Sequence, residues 1–424
     1  FGFVAAGVPH RIVIAGRNQC DLPRLGRDLT LICEQQIQLF GAPAPFSSYV
    51  FLTLAVADGY GGLEHRASTA LICNRTDLPT TDQPEVSTGY RQLLGLCSHE
   101  YFHSWNVKQI KPAAYAPYDL QQENYSRLLW AFEGVTSYYD DLMLLRSGLI
   151  SAQDYLDLLS QTITGVERGY GRLSQNLEDA SFDTWIKFYR QDENSPNALV
   201  SYYTKGALFA LCLDLTIRCD TAGAKSLDDV MQALWQEYGR DFARHGRGVG
   251  EGEWEALAQR VTGLDLRALF ALGLRSVAAL PLQSLLQAFG VTWQQRATEG
   301  VSDKGGWRDQ IAAEKASLAC KSVAEAAGVK LTHVLSGGAA EMAGLAAGDV
   351  IVAWDGLRAT ASSWDGLLLN AKIGSAVRVH AFRRDELFEF NVQLQAATQD
   401  TVGLQLQDDL SDGTLQARRL WLAA

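Results

Sequence analysis

The sequence predicts an α+β protein in which a mixed sheet with covering helices leads into an all-helical segment and then a β-rich module. Three observations carry this. Residues 1–75 hold the β-rich runs HRIVIAG, YVFLTLAVA and STALIC around a helical stretch near 27–40, where Leu29, Ile32, Cys33 and Ile37 recur at helical spacing. From 89 to 220 the patterns become mainly helical. A polar, glycine-bearing stretch at 294–310 reads as a linker, and new strand patterns follow it.

Taken in order, the chain opens on FGFVAAGVPHRIVIAG, which enters in the middle of a β-like segment, so an upstream portion is expected to be absent and the first residues to be a remnant of an N-terminal β domain. YVFLTLAVA is a buried strand; at nine residues it is far short of the roughly 18 that a membrane span needs. KSLDDVMQALWQEYG offers Ser226 as an N-cap, acids in the first turn, and Leu227, Val230, Met231, Leu234 and Trp235 on one face, opening a helical segment to about 290. With 424 residues, 47% of them hydrophobic, two or three domains are expected. The net charge of -11 argues against nucleic acid, which needs clustered Lys and Arg. Seven cysteines without a C-x-x-C pair argue against a disulfide framework and read as small buried hydrophobes.

The chemistry-bearing stretch is LLGLCSHEYFHSWNVKQIKP, with the pattern H-E-x-x-H. Residues i and i+4 share a helical face, so His99 and His103 can present two imidazoles to one zinc ion, with Glu100 beside them. A catalytic zinc takes three protein ligands, and Glu133 is the third candidate. An acid among Trp130, Phe132, Val135, Tyr138 and Tyr139 is expected to meet a cation, because an unpaired buried carboxylate is costly. His65 and His10 are rival third ligands. Asp140, two helical turns beyond Glu133, reads either as a partner behind the ligands or as a surface charge. Lys108 and Lys111 read as cations at the C-terminus of the zinc helix, which Pro112 stops, and Lys205 as a packing residue.

The end of the chain, from GVKLTHVLSGGAAEMAGLAAGDVIVAWDGLRA through SSWDGLLLNAK, AVRVHAFR and LFEFNVQL, resembles a PDZ domain over 316–396. Gly344, Gly348, Asp349 and Gly356 fall at the turns of that family. The resemblance implies a carboxylate-binding loop near Leu318, Ala319 and Cys320 that captures peptide C-termini, although no G-L-G-F text stands there.

Four motifs, GYGGLEHRAST, HEYFHSWNVKQIKP, LLWAFEGVTSYYDDL and VSYYTKGALFALCLDLTIR, resemble in content and order the gluzincin metallopeptidases, and among them the PDZ-bearing glycyl aminopeptidase family. The resemblance implies a thermolysin-like catalytic domain with one Zn2+ on His99, His103 and Glu133. Glu100 would be the general base, and Tyr203, with Tyr202 as the alternative assignment, would stabilise the oxyanion. GGLEH resembles the G-A-M-E-N segment of the aminopeptidase N family, with His65 where that family has Asn. It implies an edge strand on which Gly61 and Gly62 admit an extended peptide and Glu64 receives its α-ammonium. The expected division is a peptidase domain at 1–220, a helical domain at 221–293, a linker at 294–315, the PDZ domain at 316–396 and a tail at 397–424. The expected activity is removal of small N-terminal residues such as Gly or Ala. A PDZ-guided endopeptidase and an inactive PDZ scaffold are the alternatives. The 29 residues between His103 and Glu133 require the segment KPAAYAPYDLQQENYS to fold back if the ligands are to meet.

Overall fold

In the computed structural model, which describes residues 1–422, the chain begins with a five-stranded mixed sheet. Its strands are β1 (Gly2–Ala5), β2 (Val8–Ala15), β3 (Tyr49–Val56), β4 (Gly61–Glu64) and β5 (Ser68–Asn74), in the spatial order β1-β2-β3-β5-β4. The three central strands are parallel, and β1 and β4 run antiparallel to them at the two edges. Strand alternation sorts the faces: Tyr49, Phe51 and Ala55 point into the core, while Leu52 and Leu54 point out. Helix α1 (Leu22–Phe40) covers the inner face; Asp21 caps it by accepting the Arg24 N–H, and Leu25, Leu29, Ile32, Cys33 and Ile37 lie on its buried side. The opposite face of the sheet exposes Val13, Leu52, Leu54, Leu63 and Ile72. The opening residues, expected as a remnant of another domain, are strands of this sheet.

Helices follow: α2 (Thr88–Phe102), α3 (Val135–Arg146), α4 (Ala152–Glu167), α5 (Leu177–Phe182), α6 (Ser195–Ala198), α7 (Thr204–Asp220), α8 (Leu227–Leu234), α9 (Phe242–His245), α10 (Glu253–Thr262), α11 (Arg267–Arg275) and α12 (Leu282–Ala288). Ser226 and Asp229 form the capping box that starts α8. Helix α7 is buried on all sides between residues 205 and 215, which makes it the centre of the helical layer.

Beyond α12 come β6 (Val291–Arg296), then β7 (Ala316–Ser317), β8 (Cys320–Glu325), β9 (Gly328–Val334), α13 (Ala339–Met342), β10 (Val350–Trp354), β11 (Leu357–Arg358), α14 (Ala361–Leu369), β12 (Ala376–Arg383), β13 (Glu386–Gln393) and β14 (Gln395–Ala396). The antiparallel sheet β13-β12-β10-β9-β8, with β11 paired to β10, encloses a core of its own around Leu331, Ile351, Trp354, Val379 and Val392. The chain then returns through β15 (Thr401–Leu406) and α15 (Asp412–Leu422).

This return corrects three expectations. One continuous core runs from Ala5 through the helices to Leu422, so residues 1–220 and 221–293 are not separately packed. The segment 294–315 is not a plain linker: it starts inside β6, which pairs with β15 from Val291↔Leu406 to Arg296↔Thr401, and Arg296 and Asp303 form a buried bidentate ion pair just beyond. Nor are the described residues of 397–424 a loose tail, since Thr164 and Ser160 of α4 hold the backbone of β15 and Trp421 is fully buried; Ala423 and Ala424 lie outside the described residues.

Candidate metal centre and active site

Helix α2 ends at Phe102, and His103 is its C-cap in helical conformation, so the pair His99 and His103 sits on the last turn with i,i+4 geometry intact. Glu133 lies in a π-helical turn, Trp130–Gly134, that runs into α3; such a turn changes the phase of the helix and re-aims the side chain within it. Two glycines bring the next element close. A Cβ on Gly134 would lie 2.5 Å from the Gly206 Cα, so α7 crosses the π turn backbone to backbone and sets Tyr203, at its N-terminus, near Glu133.

Three donor atoms converge. His99 Nε2 lies 3.3 Å and His103 Nε2 3.2 Å from Glu133 Oε2, and the two Nε2 atoms are 3.1 Å apart. Tetrahedral zinc with nitrogen and oxygen ligands at its usual bond lengths sets donors about 3.3 Å apart, so this triangle fits the ion. The far ring atoms are engaged as well: His99 Nδ1 faces Asp140 Oδ2 at 3.0 Å, and His103 Nδ1 faces the Asn106 carbonyl at 2.8 Å. Each contact places the proton on Nδ1 and leaves Nε2 as a lone pair. Asn106 in turn donates to the Ala131 carbonyl at 3.0 Å and to Thr136 Oγ1 at 3.1 Å, which ties the turn after α2 to the Glu133 segment.

The charges agree with a cation site. Against the cost of burial, the imidazoles of His103 and His99 hold the Glu133 carboxyl far below the usual carboxylate range. Burial alone would lower both imidazoles, yet Asp140 and Glu133 raise His99 and Glu133 raises His103. Glu100 stands outside the converging trio. It is 5% exposed, burial raises its carboxyl, and its Oε2 has no hydrogen-bond partner.

The sheet edge meets this centre. A Cβ on Gly62 would lie 2.0 Å from Glu100 Oε1, so β4 passes directly over the Glu100 carboxyl, whereas Gly61 has nothing close to it. Glu64, at the end of β4, pairs with Lys108 Nζ at 2.9 Å. Burial opposes its ionised form, but His103 and Lys108 outweigh that and hold its carboxyl below the ordinary value. This corrects the reading of Lys108 as a helix C-terminal cation, because α2 has already ended six residues earlier, at Phe102. The Tyr203 ring is 6.3 Å from that of His99, and its hydroxyl lies 3.3 Å from that of Tyr189. Burial, then the Glu133 charge, keeps the Tyr203 phenol protonated. Tyr202 is 1% exposed and accepts from Thr184 Oγ1 at 2.9 Å, a core position.

The rival ligands lie elsewhere: His10 is buried against the Tyr101 hydroxyl, and His65 is exposed with its Nδ1 on the Leu63 carbonyl. The segment after Lys111 does fold back, since the Ala113 N–H donates to the Val249 carbonyl at 2.8 Å. Sequence reasoning missed Asn106 and Tyr189, for which the local text carries no signal.

Comparison with known proteins gives the same direction. Residues 92–209 match the family of M61 glycyl aminopeptidases. The structure of an aminopeptidase N family protein from Idiomarina loihiensis is 40% identical over 100% of this chain and 70% of that one, with a TM-score of 0.91. Two fainter likenesses are an M1 zinc metallopeptidase from Deinococcus radiodurans (17% identity, 65% of this chain and 50% of that one, TM-score 0.42) and the HtrA3 PDZ domain bound to a phage-derived ligand (15%, 22% and 91%, TM-score 0.19). No curated protein matches the chain. The 40% identity across its whole length places the chain in the same family as the Idiomarina loihiensis protein, and with residues 92–209 matching the M61 glycyl aminopeptidases it is a metallopeptidase.

Proposed function

We propose that the protein is an aminopeptidase dependent on one zinc ion, which removes small N-terminal residues such as Gly or Ala from peptides. The observation that carries this reading is the convergence of His99, His103 and Glu133 beneath an edge strand that ends in Glu64. Zinc held by these three side chains would supply Lewis acidity toward the scissile carbonyl and acidify water. Glu100, its carboxyl raised by burial, takes the proton from the attacking water and delivers it to the leaving amine. The Tyr203 phenol donates a hydrogen bond to the oxygen on which negative charge develops. Gly61 and Gly62 leave the rim of β4 open to an extended peptide backbone. Lys108 engages one oxygen of Glu64, and the other receives the α-ammonium of the substrate.

Metal analysis and a pair of variants test this. The protein should bind about one zinc per chain and lose hydrolysis on chelation. Glu100→Gln should retain zinc while kcat falls by about 10²–10⁴. Glu64→Gln should impair peptides with a free amine far more than N-acetylated ones. Failure to bind zinc would sink the metal assignment, and full activity on N-acetylated peptides would sink the exopeptidase assignment.

We also infer that the unit at 316–396 is a PDZ domain that binds peptide C-termini. What supports this is β8, an edge strand packed beside α14, preceded by Leu318 and by Ala319 with φ of 54°. A fluorescent peptide with a free C-terminus should bind the full chain and its C-terminal amide should not; equal binding of the two would refute capture of the carboxylate.

A further inference from the structure

Past Glu64, where the chain leaves β4, an open pocket of about 340 Å³ is bounded by Arg66, Lys108, Lys111 and Tyr118 together with Glu64 itself. Three cations therefore face one carboxylate, in a chain whose overall charge is -11. Lys108 and Glu64 answer one another at 2.9 Å, which leaves the charges of Arg66 and Lys111 in surplus.

Lys111 is the informative residue. It is 3% exposed, and its ammonium lies over the rings of Tyr118 at 5.0 Å and Phe242 at 4.8 Å. Among the described residues no carboxylate comes within salt-bridge distance of it, and the charges that act on it, Arg66 and Lys108, are both positive. Burial, with those two cations, brings its pKa down to about 8. Two aromatic faces are a favourable seat for an ammonium, but they would hold a methionine equally well. An ammonium kept in this place, with no protein anion, leaves an unmet demand for negative charge at the pocket wall.

We propose that the pocket is a subsite for a substrate carboxylate, contacted by Lys111 and Arg66 and placed beside the carboxylate of Glu64. The proposal rests on the reading of Glu64 as the seat of the substrate α-ammonium. The two sites together then recognise a peptide by a pair of opposite charges, one on each side of Lys108. A peptide can supply that carboxylate from the side chain of an N-terminal Asp or Glu, or from the C-terminus of a short peptide. The second source suits chains that begin with Gly or Ala.

Steady-state kcat/KM on two matched pairs distinguishes these sources: tripeptide amides beginning with Glu or with Gln, and Ala-Ala-Ala as the free acid or the amide. The zinc-loaded protein should favour the carboxylate member of one pair by about tenfold, through KM, as a hydrogen bond to a charged group confers. Preference in the first pair assigns the pocket to the N-terminal side chain, and in the second to the C-terminus. Lys111→Met, which keeps the packing on both rings, and Arg66→Gln, on the exposed rim, should each erase the preference. Equal kcat/KM within both pairs, or a preference that survives both variants, overturns the subsite while the peptidase reading stands. Hydrolysis of none of the four peptides overturns the proposed aminopeptidase activity as well.

Discussion

An imidazole held at Nδ1 has its other nitrogen aimed, and both histidines here are held that way. For His103 the holder is a backbone carbonyl, that of Asn106, which no substitution removes; for His99 it is the Asp140 carboxylate. Asp140→Asn keeps the shape but withdraws the charge that favours the Nδ1–H tautomer. Zinc affinity should fall by about 10–100-fold, read by competition with a chromophoric chelator, with thermal unfolding of the metal-free protein near that of wild type. Unchanged affinity would remove Asp140 from this role. Glu133 was legible from sequence because an acid between Trp130, Phe132 and Val135 needs a partner. Asn106 was not, since its purpose is a set of hydrogen bonds to residues 131–136 that only the folded chain brings near. Tyr189 escaped for the same reason: nothing in its neighbourhood announces that its hydroxyl meets that of Tyr203.

Elements meet at this site through absent side chains. The segment GGLEH was expected to be an edge strand, and β4 is one; at Gly62 a Cβ would meet the end of the Glu100 side chain. Adding a methyl at 62 presses on the end of a side chain, whereas adding one at 134 presses on the Gly206 backbone, which has nowhere to retreat. The two substitutions should therefore separate function from stability. Gly62→Ala should lower kcat/KM at least tenfold while urea denaturation shifts by less than about 1 kcal/mol, because β4 is a short edge strand. Gly134→Ala should cost about 1–3 kcal/mol as well as activity, since the α7 crossing must open. Wild-type kcat/KM in Gly62→Ala would make the contact with Glu100 incidental. The π turn that carries Glu133 was not legible either, because one extra residue per turn leaves the local apolar pattern helical.

At the scale of the whole molecule, the unit at 316–396 is an insertion into a two-stranded ribbon. β6 and β15 lie side by side although about a hundred residues separate them, and their polar-looking alternation, VTWQQR and TVGLQL, gave no hint in the sequence that one strand is the partner of the other. Entry and exit of the inserted unit are also adjacent, since Ala316 pairs with Ala396 and Ser317 with Gln395. The ion pair of Arg296 with Asp303, the hydrogen bond from Arg168 to the Asp303 carbonyl and the ribbon itself all stay on the near side of that doorway. Across it, Asn197 of α6 holds the Val334 carbonyl at 2.8 Å and the Ser336 N–H at 3.0 Å. Replacing 316–396 by a short Gly/Ser turn has a gap of only about 5 Å to bridge, the spacing of paired strands. The shortened chain should unfold cooperatively, bind zinc, and cleave short peptides with kcat/KM within a few fold of wild type, because the core from Ala5 to Leu422 is untouched. If instead zinc binding or short-peptide hydrolysis is lost, the inserted unit is part of the catalytic body and the Asn197 contact transmits its state to the helix that carries Tyr203. A loss confined to long substrates would place the unit in capture of the peptide alone.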